Sequence, residues 1–200
     1  MLHITPSGQV IHAQINLNIS SAIERGPLLA IHGIIVHQTN SPTAAATLNG
    51  YKRAKSNGAH FLIDKDGTIY QTASVCKKTW HVGQLKSRCI AQQTCSPTEI
   101  KALQRKKPGA PIGRVESKKT WPARYPSNDD SIGIEIVAEA LPKTVSQDKQ
   151  VFESVTNEQQ TSLTWLLQEL AMTLKVQMTE VFRHTAVSWK NRTEASTATW

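Results

Sequence analysis

The stretch "DSIGIEIVAEA", residues 130–140, decides the fold because it predicts a buried strand with a carboxylate inside it. Its isoleucines stand at every second position, and alternate residues of a strand share one face of the sheet. Glu135 therefore falls on the opposite face, together with Gly133. A glycine beside a carboxylate leaves room for another group to approach. An ordinary solvent-facing glutamate would give the same pattern.

The segments on either side of this strand alternate between strand and helix patterns. Alternation, capping residues and turn residues predict each of them. The predicted elements are a buried strand over 28–39, a helix that begins at Asn40 or Ser41 with Pro42 in its first turn and ends at Gly58, a hairpin over 59–73 that turns at 65–67, a short helix capped by Ser96, a Pro- and Gly-rich loop over 108–127, and an amphipathic helix over 156–175. This order predicts an α/β fold with a central mixed β-sheet flanked by helices. We expect residues 1–200 to form a single domain.

The positive charge of the chain is concentrated in one region. The formal net charge is +8. Residues 84–127 hold ten Lys or Arg against two Glu, and the rest of the chain is neutral. This region predicts a basic, irregular insert that meets an anionic partner or simply faces solvent. Aromatic residues are too sparse there for a platform that stacks on single-stranded nucleic acid, so we do not expect nucleic acid as the main partner.

Composition also limits where the protein works. No apolar run is long enough to span a membrane, and the N-terminus lacks the basic start and apolar stretch of a signal peptide. We therefore expect synthesis in the cytoplasm and export by another route if the protein acts elsewhere. The odd number of cysteines argues against a disulfide framework, although Cys89 and Cys95 are close enough in sequence to pair.

The segment "FRHTAVSWKNRTEAS", residues 182–196, has no clear helical or strand period. It places His184, Lys190, Arg192 and Glu194 close together near the C-terminus. Two interpretations are open at this point: a polar tail, or a segment that wraps around a metal ion. His37 is a further candidate, because it stands near the end of a predicted strand that is otherwise rich in Ile and Val, and functional sites are often built where strands meet loops.

These residues occur in an order that resembles the zinc-dependent N-acetylmuramoyl-L-alanine amidases, a family that includes the peptidoglycan recognition proteins. The resemblance covers roughly residues 31–196. It rests on "IIVHQT", "AHFLIDKDGTIYQ", "WHVG" and "NDDSIGIEI", and on the spacing of the C-terminal segment. No single motif is specific, but the ordered set is. The resemblance implies the fold of that family and hydrolysis of the amide between the lactyl group of N-acetylmuramic acid and L-alanine in peptidoglycan.

The resemblance also implies roles for particular residues. His37, His184 and Glu194 would be the ligands of a catalytic Zn²⁺, with glutamate where the family usually has aspartate or cysteine. Glu135 resembles the family's general base, and Arg192 stands where the family usually has lysine. Lys190 is the alternative cation for stabilising the developing oxyanion.

The roles of the "WHVG" motif and of the tyrosines are less direct. His81 would contact substrate or orient a ligand, or be a half-buried structural histidine, and Trp80 would help to bind substrate. His32 and His60 are interpreted as structural. The phage branch of the family has a tyrosine at the position of Ala59, so neither Tyr51 nor Tyr70 is its direct equivalent.

Several functions stay open on the sequence. The first expectation is a peptidoglycan amidase acting on the cell wall in the periplasm after export or lysis, as an antibacterial effector or an endolysin. Its partners would be peptidoglycan or muropeptide, together with an immunity protein or a secretion machinery for an effector. The alternatives are a cytoplasmic muropeptide-recycling amidase and a module that binds muropeptide without cleaving it.

Overall fold

The computed structural model describes residues 1–200, and a six-stranded mixed sheet forms its centre. The strands are β1 (His3–Ile4), β2 (Val10–Ile11), β3 (Ile15–Leu17), β4 (Glu24–Pro27), β5 (Gly33–Gln38), β6 (Phe61–Ile63), β7 (Ile69–Gln71), β8 (Lys77–Thr79), β9 (Ser131–Ile136), β10 (Ala140–Leu141), β11 (Val151–Phe152) and β12 (Val181–Arg183). The helices are α1 (Ala44–Tyr51), α2 (Arg88–Gln92), α3 (Pro97–Gln104), α4 (Ala110–Glu116), α5 (Asn157–Leu174) and α6 (His184–Val187).

The strand order of the central sheet is β12-β5-β9-β6-β7-β3. Strands β12, β5, β9 and β6 run parallel to one another, whereas β6 and β7 form an antiparallel hairpin. Strand β3 pairs in parallel with β7. The predicted mixed sheet with flanking helices is therefore confirmed, as is the hairpin.

Helix α5 covers one face of the sheet. Its N-terminus is closed by a capping box between Thr156 and Gln159, which satisfies backbone N–H groups of the first turn. Four leucines of its stripe are fully buried: Leu163, Leu166, Leu167 and Leu170. They form one core with the isoleucines of β9 and with Ile34 and Val36 of β5. At roughly 1.5–3 kcal/mol for each buried aliphatic side chain, this layer is a main source of stability.

The opposite face of the same strands carries the polar residues. Because side chains alternate along β5, Ile35 and His37 point away from α5, and Ile35 packs with Val82, Leu85 and Val187. The parallel register pairs His37 with Glu135 on the neighbouring strand β9. The two polar residues that interrupt the apolar strands are thus neighbours on one side of the sheet.

Several predicted boundaries differ from the structure. Strand β5 covers only 33–38 of the predicted 28–39, and β9 ends at Ile136. Helix α1 begins after Thr43, whose hydroxyl accepts from the Ala46 N–H, so the predicted caps at Asn40 or Ser41 and the predicted end at Gly58 are wrong. Asn40 has a φ of 53° and belongs to the preceding turn.

The region 84–127 is more regular than predicted, since it contains α2, α3 and α4. The helix over 97–104, capped by Ser96, is confirmed. The prediction of a loop over 108–127 is wrong for α4: Pro111 lies in the first turn of that helix, where a missing N–H costs nothing. Cys89 and Cys95 form a disulfide within the insert.

Part of the positive charge of the insert is used internally. The Arg88 guanidinium makes two hydrogen bonds to the Glu180 carboxylate, at 2.9 and 2.5 Å, and both side chains are nearly buried. Arg124 pairs with Asp130, and Lys119 with Glu116 and Glu99. Six of the ten cations remain exposed on the surface: Lys101, Arg105, Lys106, Lys107, Arg114 and Lys118. None of the helices is both long enough and apolar enough for a membrane span.

Candidate metal centre

His37 is the fifth residue of β5 and is 2 % exposed. Strand β12 pairs with β5 so that Arg183 lies opposite Val36. His184 follows directly as the first residue of α6, which places it beside His37 at the end of the two strands. The centroids of the two imidazole rings are 4.1 Å apart.

The segment after α6 brings Glu194 to the same point. The Ala195 N–H donates to the Gln38 side-chain oxygen at 2.7 Å, which ties this segment to the end of β5. The Arg183 guanidinium donates to the carbonyls of Ala195 and Ala198. As a result Glu194 is only 6 % exposed. The C-terminal residues around Glu194 are therefore packed against the sheet.

Three potential ligand atoms converge in this pocket. Oε1 of Glu194 lies 2.8 Å from Nδ1 of His184 and 3.6 Å from Nδ1 of His37. The three groups offer one ligand atom each, all within 4.8 Å of one another. The potential ligand atoms of Cys89, Cys95 and Glu99 also lie within 4.8 Å of one another. The two cysteine sulfur atoms are bonded to each other, so they are not available as thiolate ligands.

The other ring nitrogen of His184 and His37 is held by a hydrogen bond. Nε2 of His184 donates to the Val82 carbonyl at 2.7 Å, which turns Nδ1 towards Glu194. Nε2 of His37 lies 3.0 Å from Nδ1 of His81. Metal-binding histidines usually have such a partner on the second nitrogen, because it fixes the tautomer and the orientation of the ring.

A short chain of hydrogen bonds determines the tautomer of His37. The Ser131 hydroxyl donates to the Ser127 carbonyl at 2.5 Å, so its oxygen accepts from Nε2 of His81 at 3.3 Å. Nδ1 of His81 then carries no proton and accepts from Nε2 of His37. It follows that Nδ1 of His37, the atom facing Glu194, has a free lone pair.

One loop, which carries the "WHVG" motif, supplies the hydrogen-bond partners of both His37 and His184. Asn128 accepts the N–H groups of His81 and Val82 at 2.9 and 2.8 Å and thereby fixes the loop. The His81 ring lies over Gly133, where an added Cβ would come within 2.7 Å of Nδ1. The group that approaches the glycine of "SIGIE" is therefore His81. Of the two functional roles predicted for His81, orientation of a ligand matches this geometry.

The protonation states around Glu194 suit a cation. Burial lowers the pKa of His37 to about 4, with the neighbouring His184 acting in the same direction. Burial alone would raise the pKa of Glu194, but the hydrogen bond from His184 and the adjacent His37 imidazole lower it to about 2. Near neutral pH the pocket therefore offers a neutral imidazole and a carboxylate, which is the state that a metal ion requires.

Glu135 has the opposite electrostatic environment. Burial raises its pKa to about 7, and the nearby charge of Glu194 acts in the same direction, whereas Tyr51 and Lys190 lower it. A carboxylate whose pKa lies near neutrality can both take up and release a proton at working pH.

The two predicted cations are placed differently. Both line a groove of about 790 Å³ that has Glu194 in its wall, together with Asn40, Gln147, Gln150 and Asn191. The charge of Lys190 lowers the pKa values of His37 and of Glu135. The charge of Arg192 lowers the pKa of Lys86 instead.

The remaining aromatic and histidine residues of the prediction lie outside this group. Trp80 is 51 % exposed, and the Arg25 guanidinium stacks over its ring at 4.6 Å. His60 is fully buried, with Nε2 donating to the Lys77 carbonyl and Nδ1 accepting from the Gly133 N–H, so both nitrogens serve the fold. His32 stacks on Trp121.

Sequence reasoning missed the polar residues that support the site. Gln38, Asn128 and Ser131 each orient a backbone segment or a ring, as described above. The available signal was position: Gln38 follows His37, Asn128 lies three residues before "SIGIE", and Ser131 is the first residue of that motif. Tyr51, which lines a smaller pocket together with Glu135, carried no such signal because it comes from α1.

Comparison with known protein families matches residues 27–197 to the model of N-acetylmuramoyl-L-alanine amidases. The chain therefore belongs to this amidase family. No curated protein sequence matches it.

Solved structures share its fold. AmpD is 17 % identical, with a TM-score of 0.50 over 92 % of this chain and 88 % of its own. PlyL is 12 % identical, with a TM-score of 0.52 over 86 % and 81 %. AmpDH3 from Pseudomonas aeruginosa, solved in complex with an anhydromuramic pentapeptide, is 17 % identical, with a TM-score of 0.51 over 78 % of this chain and 51 % of its own.

Proposed function

We propose that this member of the amidase family is a zinc-dependent N-acetylmuramoyl-L-alanine amidase. The observation that carries the proposal is the convergence of two imidazole Nδ1 atoms and one carboxylate oxygen in a buried pocket. Two histidines and one carboxylate form a donor set typical of catalytic zinc, which keeps a fourth position for water or substrate. Both rings have their second nitrogen hydrogen-bonded, as such ligands usually do. His37, His184 and Glu194 would hold the ion.

Bound zinc would supply Lewis acidity, which polarises the scissile carbonyl and makes water a better nucleophile. The chain's own residues supply the proton transfers. A Glu135 carboxylate oxygen takes a proton from the attacking water and returns it to the nitrogen of the leaving L-alanine. Its raised pKa suits both steps.

Lys190 is the better placed of the two predicted cations for the charge that develops on the carbonyl oxygen. The charge of Lys190 lowers the pKa values of Glu135 and His37, whereas the charge of Arg192 lowers the pKa of Lys86. Arg192 lines the groove next to Glu194, as Lys190 does. There it would meet the free carboxylates of a stem peptide.

The substrate proposed is the amide between the lactyl group of N-acetylmuramic acid and L-alanine. The family is named for hydrolysis of this bond, and the structure of AmpDH3 was solved in complex with an anhydromuramic pentapeptide. The polar groove beside Glu194, with two cations in its wall, fits an anionic peptide better than an apolar one. Trp80, exposed on the surface, stays a proposed contact for the larger polymer.

We further propose that the protein acts on the cell wall outside the cytoplasm, as an antibacterial effector or an endolysin. The Cys89–Cys95 disulfide supports an oxidising compartment such as the periplasm. For an effector, a secretion machinery and an immunity protein would be the partners. A recycling amidase is the competing role, and it would prefer soluble muropeptides in the cytoplasm.

The experiment measures zinc content and the release of free stem peptide for the parent protein, His184→Ala and Glu135→Gln. Intact sacculi and soluble anhydromuropeptides are assayed side by side. We expect His184→Ala to lose zinc and activity. Glu135→Gln should keep zinc and lose about 10²–10⁴-fold in turnover, the usual contribution of a general base. A parent protein that binds muropeptide and releases no peptide would instead be a binding module.

A further inference from the structure

Tyr51 has a buried hydroxyl without a hydrogen-bond partner. The residue ends α1 and is 5 % exposed, and its oxygen has no partner among the protein's donors and acceptors. A buried hydroxyl left unpaired is destabilising, and such groups in native proteins usually have a functional reason.

The charged group that this hydroxyl faces is Glu135. Both residues line a pocket of about 370 Å³ together with Thr39, Ser41 and Arg53. Burial and the facing carboxylate raise the pKa of Tyr51 well above its ordinary value, so the hydroxyl keeps its proton and can only act as a donor towards Glu135.

The ring of Tyr51 is held in place by packing. It lies in a small core with Ile23 and Ala73. Gly58 passes so close that an added Cβ would lie 2.9 Å from Cε1 of the ring. The position of the hydroxyl is therefore fixed by the packing of the ring.

We propose that Tyr51 is a positioning residue, whose hydroxyl donates a hydrogen bond to the Glu135 carboxylate and holds it in the orientation that accepts a proton from water. The proposal rests on the proposed function of Glu135. It assigns to α1 a residue of the hydrolytic site that stands outside the motifs of the sequence. Tyr51 itself transfers no proton and touches no reacting atom.

The kinetic test compares Tyr51→Phe with the matched control Tyr70→Phe, both with zinc bound. Tyr70 is a partly buried tyrosine on β7. Tyr51→Phe keeps the packed ring, so we expect unchanged thermal stability and zinc content and an unchanged KM. Its kcat should fall roughly tenfold or more, as for the loss of a hydrogen bond to a charged group. Tyr70→Phe should match the parent.

The double variant Tyr51→Phe/Glu135→Gln separates positioning from any independent effect. If Tyr51 acts through Glu135, the double variant should be no slower than Glu135→Gln alone. Parental kcat in Tyr51→Phe, or additive losses in the double variant, would overturn the proposal.

A spectroscopic arm keeps the test independent of activity. The chain has three tyrosines, so the ¹³Cζ resonances of labelled tyrosine can be assigned by single Tyr→Phe changes. Glu135→Gln should shift the Tyr51 resonance and leave those of Tyr70 and Tyr125 in place. An unmoved Tyr51 resonance would refute the contact. A shifted resonance in a parent protein that hydrolyses no amide would support the contact and refute only the proposed enzymatic function.

Discussion

Replacing Gly133 by alanine tests whether His81 controls the metal site. The position is not in a positive-φ conformation, so the backbone tolerates alanine and only the contact with His81 matters. An added Cβ would lie 2.7 Å from Nδ1 and 2.8 Å from Cγ of the His81 ring. Relief to an ordinary contact near 3.5 Å requires a ring displacement of about 0.8 Å.

That displacement is large enough to break the hydrogen bond that fixes His37. Nε2 of His37 and Nδ1 of His81 are 3.0 Å apart, so a ring shift of about 0.8 Å is larger than the stretch that this hydrogen bond tolerates. Loss of such a partner typically costs about 10–100-fold in metal affinity. Overpacking adds a stability loss of about 1–3 kcal/mol. We therefore expect Gly133→Ala to bind zinc about 10–100-fold more weakly and to melt several degrees lower.

The assay is competition with a chromophoric chelator for zinc, with thermal melting of the metal-free protein measured in parallel. Gly26→Ala is the matched control, because an added Cβ meets nothing within 4 Å there. In a His81→Ala background the clash disappears, so Gly133→Ala should cause no further loss of zinc affinity. Parental zinc affinity in Gly133→Ala would refute the argument that His81 orients His37.

Three further predictions concern the charged groups. Glu194→Gln should weaken zinc binding, because a neutral oxygen replaces an anionic one, whereas Glu194→Asp should keep measurable activity; equal zinc affinity in Glu194→Gln and the parent would remove Glu194 from the ligand set. Glu135 must be ionised to accept a proton, and its pKa is raised to about 7. The value of kcat/KM should therefore rise with pH up to about 7 and level off above it. A pH profile that levels off near 4.5 instead would contradict Glu135 as the base. Lys190→Ala should lower turnover more than Arg192→Ala, with zinc retained in both variants. Because Lys190 lowers the pKa of Glu135, Lys190→Ala should also move the rise of kcat/KM to higher pH. The reverse order of turnover would assign the oxyanion contact to Arg192.

Local patterns in the sequence predicted the parts of the fold that depend on local physics. The stripe of α5 and its cap, the hairpin β6–β7 and the core face of β9 follow from periodicity and turn residues. Helix boundaries were less predictable, because Thr43 competes with Asn40 and Ser41 for the cap, and tertiary contacts decide between them. Helix α4 was missed because proline and glycine were interpreted as loop residues.

The candidate site shows a similar division. The positions of His37, His184 and Glu194 could be proposed from their order, but their supports could not. The Val82 carbonyl and the Gln38 side chain act across 102 and 157 residues of sequence. No short-range pattern reports such contacts. Tyr51 is the extreme case, because its only signal is an unpaired oxygen that exists in the folded chain alone.

The two carboxylates of the site differ too much in pKa to exchange roles. Glu194 accepts a hydrogen bond from His184 and lies beside the His37 imidazole; the two rings hold its pKa near 2 despite burial, so it stays anionic and suits a ligand. Glu135 stands one strand away with no imidazole partner, and burial raises its pKa to about 7. The charge on Glu194 adds to that rise, so the proposed ligand helps to set the pKa of the proposed base. Pairs of titratable groups pushed apart in this way mark the division between charge stabilisation and proton transfer in hydrolytic sites. The glutamate that replaces the family's usual aspartate at position 194 therefore has to stay next to both imidazoles, because without them burial would raise its pKa as it does that of Glu135.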